Sequence, residues 1–281
     1  MPELPEVEIV KCALEPAMCG KEIERCEINI QGLRYVFAEN FAGILSGAVC
    51  KSVTRRGKYM ILYFDHDYAL VWHLGMSGRV KIFDTKADYE PEKHDHILFY
   101  LKDGTVIVYN DARRFGFMDL MRADEIETAR HFANMGPEPL GNHFYGQALY
   151  DVLKNKKAPI KAALLDQRVV AGVGNIYACE ALYMAGINPR KSAQSLSRAK
   201  VEKLAAAIKD VLRKAIEAGG SSLKDYAHTD GSLGYFQHMF SVYNREGQAC
   251  PDCTCDISRT KGIKRIVQTG RSTFYCSARQ K

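Results

Sequence analysis

The chain has 281 residues, 47% of them hydrophobic and 26% charged, enough for one large or two modest domains with real cores. No stretch approaches about 18 consecutive apolar residues, so a transmembrane helix is not expected. The acidic, proline-rich start Met1-Pro2-Glu3-Leu4-Pro5-Glu6 lacks the basic-then-apolar order of a secretory signal, so export is not expected either.

Nine cysteines, an odd number without an export signal, argue for a reducing compartment and against a disulfide framework. The formal charge of +6 says little by itself. Its placement says more, because residues 241–281 hold eight Lys/Arg and three Asp/Glu, a net +5. Lys154, Lys156, Lys157 and Lys161 form a second basic cluster. Either cluster suits a solvated face or one that meets phosphates.

In chain order, residues 4–19 read as a helix, with Val7, Val10, Cys12, Leu14 and Met18 at near-helical spacing. From about 23 to 120 the pattern changes to short β-branched and aromatic runs, among them 59–64, 69–72, 97–101 and 106–109. Asp65-His66-Asp67 and Lys102-Asp103-Gly104 punctuate them as turns. This predicts an antiparallel β-sandwich or barrel with a leading helix. Gly136-Pro137-Glu138-Pro139-Leu140-Gly141 reads as a linker, and from about 145 to 218 the period is helical, notably at 201–212. Gly219-Gly220 stops that helix, 219–236 reads as a loop, and a small cysteine-containing module follows from 240. There is no internal repeat or heptad pattern, so a monomer is expected.

Four local features carry chemistry. Pro2 is small enough to permit removal of Met1, which would leave a secondary amine titrating near pH 7.7–8.0, roughly the α-amino range. Such an amine can attack an electrophilic carbon and form an iminium, with Glu3 and Glu6 placed to manage protons. The same residues also suit an ordinary helix start. Next, Cys250-x2-Cys253 with a later Cys276 has the look of a zinc ribbon whose second pair is broken by Arg279. Cys255 is the candidate fourth thiolate, a metal would supply the folding energy of so small a module, and a metal-free hairpin is the alternative. The other cysteines, Cys12, Cys19, Cys26, Cys50 and Cys179, read as small buried hydrophobes.

Third, Gly172-Val173-Gly174-Asn175 suits a tight turn presenting backbone N–H groups to a phosphate at a helix start, or a plain connection. Fourth, Arg113-Arg114-Phe115, with Met76 in Leu74-Gly75-Met76-Ser77-Gly78, pairs apolar wedges with arginine, as suits a protein that opens the base stack; singly, Met76 and Phe115 also suit a core. Lys93-His94-Asp95-His96 reads as a polar turn with one phosphate-contacting histidine.

Taken in order, these signals resemble the formamidopyrimidine-DNA glycosylase family. The resemblance rests on Met1-Pro2-Glu3-Leu4-Pro5-Glu6-Val7-Glu8, Arg56-Gly57-Lys58-Tyr59, His73-Leu74-Gly75-Met76-Ser77-Gly78, Lys93-His94-Asp95-His96 and Arg113-Arg114-Phe115-Gly116. It continues through Gly172-Val173-Gly174-Asn175-Ile176-Tyr177 and Arg271-Ser272-Thr273-Phe274-Tyr275-Cys276, so it runs the length of the chain. It implies an α+β multidomain protein: a catalytic β-sandwich domain with a leading helix at 1–135, a linker at 136–145, a helix–two-turn–helix domain at 146–238 and a C-terminal zinc-ribbon-like β-hairpin at 239–281. A lesion-capping loop would occupy 219–235, and duplex DNA would lie in the cleft between the halves.

The implied activity is base-excision repair in the bacterial cytoplasm: removal of 8-oxoguanine and formamidopyrimidines from duplex DNA, then cleavage of the abasic site by β,δ-elimination. Pro2 would form the Schiff base at C1′, Glu3 would donate and accept protons, Lys58 would assist β-elimination and Arg271 the δ-elimination. His94, Arg113, Lys156 and Asn175 would grip phosphates. Met76, Arg113 and Phe115 would fill the gap left by the flipped nucleotide. One structural Zn2+ would be held by Cys250, Cys253, Cys276 and Cys255. Leu4 separates the chain from the sister class that acts on oxidised pyrimidines, where glycine is typical. A non-catalytic damage sensor or a zinc-stabilised adaptor would share the basic tail, but would not need Pro2, Glu3 and Lys58 together.

Overall fold

Period-2 alternation in the first part of the chain builds two four-stranded antiparallel sheets, ordered β2-β3-β4-β8 and β1-β6-β7-β5. The elements there are α1 (Leu4–Met18), β1 (Ile23–Ile28), α2 (Phe41–Leu45), β2 (Cys50–Arg56), β3 (Tyr59–Phe64), β4 (Tyr68–His73), β5 (Arg79–Phe83), β6 (Asp95–Leu101), β7 (Val106–Asn110) and β8 (Phe117–Arg122). The computed structural model describes residues 2–221, 234–251 and 253–281, so most of the expected capping loop, 222–233, lies outside the described residues. The chain divides into two units, Met1–Ala133 with Ala218–Tyr235, and Asn134–Glu217 with Phe236–Lys281. Among the described residues no helix is long and apolar enough to cross a membrane.

The core of the first unit centres on Trp72, whose ring meets Tyr109 edge-on at 5.4 Å and Phe99 at 6.0 Å. Helix α1 adds Val7, Val10, Leu14 and Met18 to that core, an i, i+3, i+4 stripe. Cys12 lies off the stripe and is exposed, against the expectation of burial. Strand β6 is buried along its whole length because it serves two cores. Ile97, Phe99 and Leu101 face the central one, whereas Leu98 and Tyr100 join Val106 and Val108 in a second cluster on the opposite face.

The second unit contains α3 (Gly146–Leu153), α4 (Ile160–Leu165), α5 (Asn175–Met184), α6 (Arg198–Glu217), α7 (Ile257–Thr260), β9 (Lys264–Gln268) and β10 (Arg271–Tyr275). Helix α6 buries Val201, Leu204, Ala205, Ile208, Val211, Leu212 and Ala215 on one stripe. Strands β9 and β10 form an antiparallel hairpin whose two-residue turn, Thr269 (φ 47°) and Gly270 (φ 72°), has the left-handed backbone that matches strand twist. Cys179 and Tyr183 of α5 pack with Val242, Ile263, Phe274 and Cys276 in one apolar cluster.

Candidate active site and nucleic-acid-facing loops

Pro2 and Glu3 stand just ahead of α1, and both are buried. Glu6, one turn into the helix and 2% exposed, fixes their backbone: its Oε2 accepts the Glu3 N–H at 2.8 Å. Glu6 Oε1 accepts the Ser221 N–H at 2.9 Å and the Ser221 hydroxyl at 2.8 Å. Three donors therefore hold a carboxylate that sequence reasoning offered only as a proton manager. Lys58 sits on the turn between β2 and β3 and is 7% exposed. Just before it, Arg55 pairs with Glu8 of α1 at 2.5 Å and donates to the Gly57 carbonyl at 3.0 Å, tying that turn to the helix that follows Glu3.

Met76, Arg113 and Phe115 come together on two interleaved loops of the first unit. Phe115 is 47% exposed, which removes the core alternative for it, and the Arg113 guanidinium lies over its ring at 4.9 Å. Gly75 (φ 68°) must be glycine because a Cβ there would strike the backbone of Phe115 and Gly116. Next to the loops a cavity of about 380 Å³ is lined by Arg34, His73, Gly75, Met76 and Phe115. The Arg34 N–H donates to the Gly116 carbonyl at 3.1 Å. His73 Nδ1 accepts the Gly75 N–H at 3.0 Å, and its ring stacks on Phe117 at 5.3 Å. Burial, then the nearby Lys58 and Arg34 charges, bring the His73 imidazole down to about 3, so it stays neutral and keeps that acceptor. Neither Arg34 nor His73 was singled out as functional from sequence; burial of a histidine against cations leaves no local pattern.

Asp111 joins the two loops. It has no exposed surface, and its Oδ1 accepts the Ser77 hydroxyl at 2.6 Å and the Arg113 N–H at 3.2 Å. Its Oδ2 accepts the Gly116 N–H at 2.8 Å and lies 3.2 Å from the Tyr109 hydroxyl. The Asp111 N–H also donates to the His94 carbonyl at 3.2 Å. His94 is half-buried with φ 76°, and the turn before it is organised by Asp95. Burial alone would raise the Asp95 carboxyl. Hydrogen bonds from Asn110 and the Glu92 N–H, with the Lys81 ammonium at 3.1 Å, hold it below the usual carboxylate range.

In the second unit, Asn175 opens α5 and its Nδ2 donates to the Ser272 carbonyl at 3.0 Å, beside the exposed Arg271 at the start of β10. Lys161 donates to the same carbonyl at 3.1 Å and to the Thr273 hydroxyl at 2.7 Å. It is 1% exposed, so it is an internal prop for β10 and not part of a solvated basic face. Lys156 is half-buried, 3.5 Å from Asp166. The Gly172 N–H is taken by Gln167 Oε1 at 2.8 Å, so that glycine turns the chain and does not present its amide outward. Glu180, 2% exposed, accepts the N–H groups of Ser241, Val242 and Tyr243 at 2.8, 3.0 and 2.8 Å, and so pins the segment leading into the hairpin module.

Cys250, Cys253, Cys255 and Cys276 converge, with all four sulfurs within 4.8 Å of one another. The closer Sγ pairs are 3.2 Å (Cys250–Cys255), 3.4 Å (Cys250–Cys276) and 3.9 Å (Cys253–Cys276 and Cys255–Cys276). Four thiolates at about 2.3 Å from one tetrahedral ion stand roughly 3.8 Å apart, so the set fits zinc in number, softness and spacing. Arg279, where a second Cys-x2-Cys would place its last sulfur, lies over the Tyr183 ring at 4.5 Å.

Two family models match the chain: the formamidopyrimidine-DNA glycosylase N-terminal domain over residues 1–118, and the formamidopyrimidine-DNA glycosylase H2TH domain over residues 135–227. A formamidopyrimidine-DNA glycosylase of Rhodospirillum rubrum is 49% identical, covering 100% of both chains, and one of Roseobacter denitrificans is 47% identical, also covering 100% of both. A Lactococcus lactis mutant Fpg in complex with Fapy-dG-containing DNA superposes with a TM-score of 0.89 at 34% identity over 100% of both chains. The MutM (Fpg) protein of Thermus thermophilus does so at 0.87 and 35% identity, over 99% of this chain and 98% of that one. The conjunction of an N-terminal Pro2-Glu3 on a β-sandwich, the Asn175 helix start and the Arg271 hairpin with matches along the whole chain places this protein in the formamidopyrimidine-DNA glycosylase family.

Proposed function

We propose that this chain is a bifunctional DNA glycosylase and abasic-site lyase that removes oxidised purines, 8-oxoguanine and formamidopyrimidines, from duplex DNA. The observation that carries the proposal is the buried Pro2-Glu3 pair, its backbone fixed by Glu6, on a chain that matches DNA glycosylases from end to end. With Met1 removed, the Pro2 nitrogen attacks C1′ of the lesion nucleotide and the glycosidic bond breaks, its electron pair leaving with the base. Glu3 supplies protons to the departing base and the opening sugar and takes them back. The resulting iminium makes the C2′ hydrogen acidic, so the 3′ phosphate leaves by β-elimination, assisted by Lys58. A second, δ-elimination expels the 5′ phosphate with help from Arg271, and hydrolysis of the iminium frees Pro2.

Reaching C1′ requires the nucleotide to leave the stack, at a cost of about a few kcal/mol. Met76, Arg113 and Phe115 offset part of that cost by filling the vacated space, which suits the exposure of Arg113 and Phe115 with the half-buried Met76 on the loop beside them. His94, Arg113, Lys156 and Asn175 hold phosphates, a salt-dependent grip to which the basic C-terminal segment adds. Domain roles follow the division expected from sequence, at 1–135, 146–238 and 239–281. Cys250, Cys253, Cys255 and Cys276 hold one Zn2+, which when bound supplies folding energy to the module that presents Arg271. The chain works as a monomer in the cytoplasm.

The test is single-turnover cleavage of end-labelled duplexes carrying 8-oxoguanine or thymine glycol. The proposal expects faster release of 8-oxoguanine and loss of both steps in Pro2→Gly and Glu3→Gln. Faster thymine-glycol excision would move the chain to the pyrimidine class, and unchanged activity in both variants would end the catalytic assignment.

A further inference from the structure

The two wedge loops are separate in sequence, and their backbones meet where Gly75 lies against Phe115 and Gly116. We propose that Asp111 is a positioning residue for base opening: its buried carboxylate locks the loop of Arg113 and Phe115 to the loop of Met76, so that all three enter the duplex as one preformed element. The proposal rests on the wedge role given above to those side chains.

The geometry is specific to that task. Each carboxylate oxygen of Asp111 has two partners. Oδ1 reaches Ser77, the neighbour of Met76, and the Arg113 N–H. Oδ2 reaches the Gly116 N–H, the neighbour of Phe115, and the Tyr109 hydroxyl, which also lies 3.3 Å from the Leu74 carbonyl. One side chain thus touches both edges of the Phe115 loop and, through Ser77 and Tyr109, both sides of Met76. A buried carboxylate survives only where its lone pairs are met, so the arrangement is cooperative: loosening one donor weakens the rest. Meanwhile Phe115 and Arg113 are exposed, and no core packing of their own holds them. An exposed aromatic that must enter a base stack gains from being ordered beforehand, because ordering it on contact would reduce the net gain of insertion.

Asp111→Asn keeps the volume and one acceptor oxygen but turns an amide donor toward the Gly116 N–H and the Tyr109 hydroxyl. Ser77→Ala removes one link and leaves the carboxylate, a milder break of the same lock. Each is assayed in single turnover on an 8-oxoguanine duplex and on a single-stranded oligonucleotide carrying an abasic site, which has no stacked duplex to open. The expected result is excision from duplex slowed about 10- to 100-fold in Asp111→Asn, less in Ser77→Ala, with single-strand cleavage within about 2-fold of wild type. In a Phe115→Ala background the Asp111→Asn effect should shrink to a few-fold. Equal losses on both substrates, or no loss on the duplex, would overturn the proposal. A Phe115→Ala enzyme with full duplex activity would overturn the wedge reading itself, and the proposal with it.

Discussion

His73 links the stability of the first unit to pH. In the folded chain its imidazole is held down to about 3, by burial first and then by the Lys58 and Arg34 charges, against 6.5 for an unburied histidine. Between those values the unfolded chain binds a proton that the folded chain refuses. Stability from this group is therefore complete above the unfolded pKa and is lost as pH falls toward the folded one. At about 1.4 kcal/mol per unit, moving from pH 7 to pH 5 costs about 2 kcal/mol through His73 alone. Trp72 is the only tryptophan of the chain and is fully buried in this unit, so its fluorescence during urea unfolding reads the unit directly. Wild type should lose about 2 kcal/mol more than His73→Asn between the two pH values; asparagine keeps an acceptor near the Gly75 N–H but does not titrate. Equal losses in the two proteins would refute the claim that His73 is held neutral.

Three further outcomes follow from the same structure. Purified protein should carry one Zn2+ per chain, released by thiol modification and read with a chromogenic chelator; Cys255→Ser should lose most of it, and full occupancy in that variant would remove Cys255 from the ligand set. Glu180→Gln replaces one acceptor oxygen beneath the N–H groups of 241–243. Hydrogen exchange there should quicken by roughly 5- to 100-fold, the equivalent of about 1–3 kcal/mol, and unchanged exchange would contradict the role given to Glu180. Gly75→Ala meets both the positive φ and the Phe115–Gly116 backbone. It should lower the urea midpoint of the Trp72 signal by the equivalent of about 2 kcal/mol or more, and a wild-type midpoint would contradict the close approach of the two loops.

What was legible in the sequence followed local periodicity and spacing. The runs at 59–64, 97–101 and 106–109 became β3, most of β6 and most of β7, because alternating side chains serve opposite faces whether one face is buried or both. The four C-terminal cysteines converge as their crowding suggested, and Cys255 stands in the cluster although its spacing from Cys253 is unusual. Long-range polar contacts were not legible. Asp111 meets Ser77 across 34 positions and Glu180 meets Ser241 across 61, and an isolated Asp or Glu in sequence looks the same on a surface as in a core. Lys161 was grouped with surface lysines for that reason, its partners in β10 being more than a hundred residues away. Cys12 shows the opposite error: near-helical spacing admitted it to the buried stripe, yet two residues past Val10 the helix has turned about 200°.

The central claim is a covalent bond between the Pro2 nitrogen and C1′ of a damaged nucleotide. Borohydride reduction during reaction with an 8-oxoguanine duplex, followed by intact mass and peptide mapping of the trapped complex, tests it most directly. The account predicts one trapped nucleotide per chain, on a protein that has lost Met1, with the adduct on the N-terminal peptide. An adduct on a lysine, or excision without any trapped complex from a chain that begins at Pro2, would contradict it.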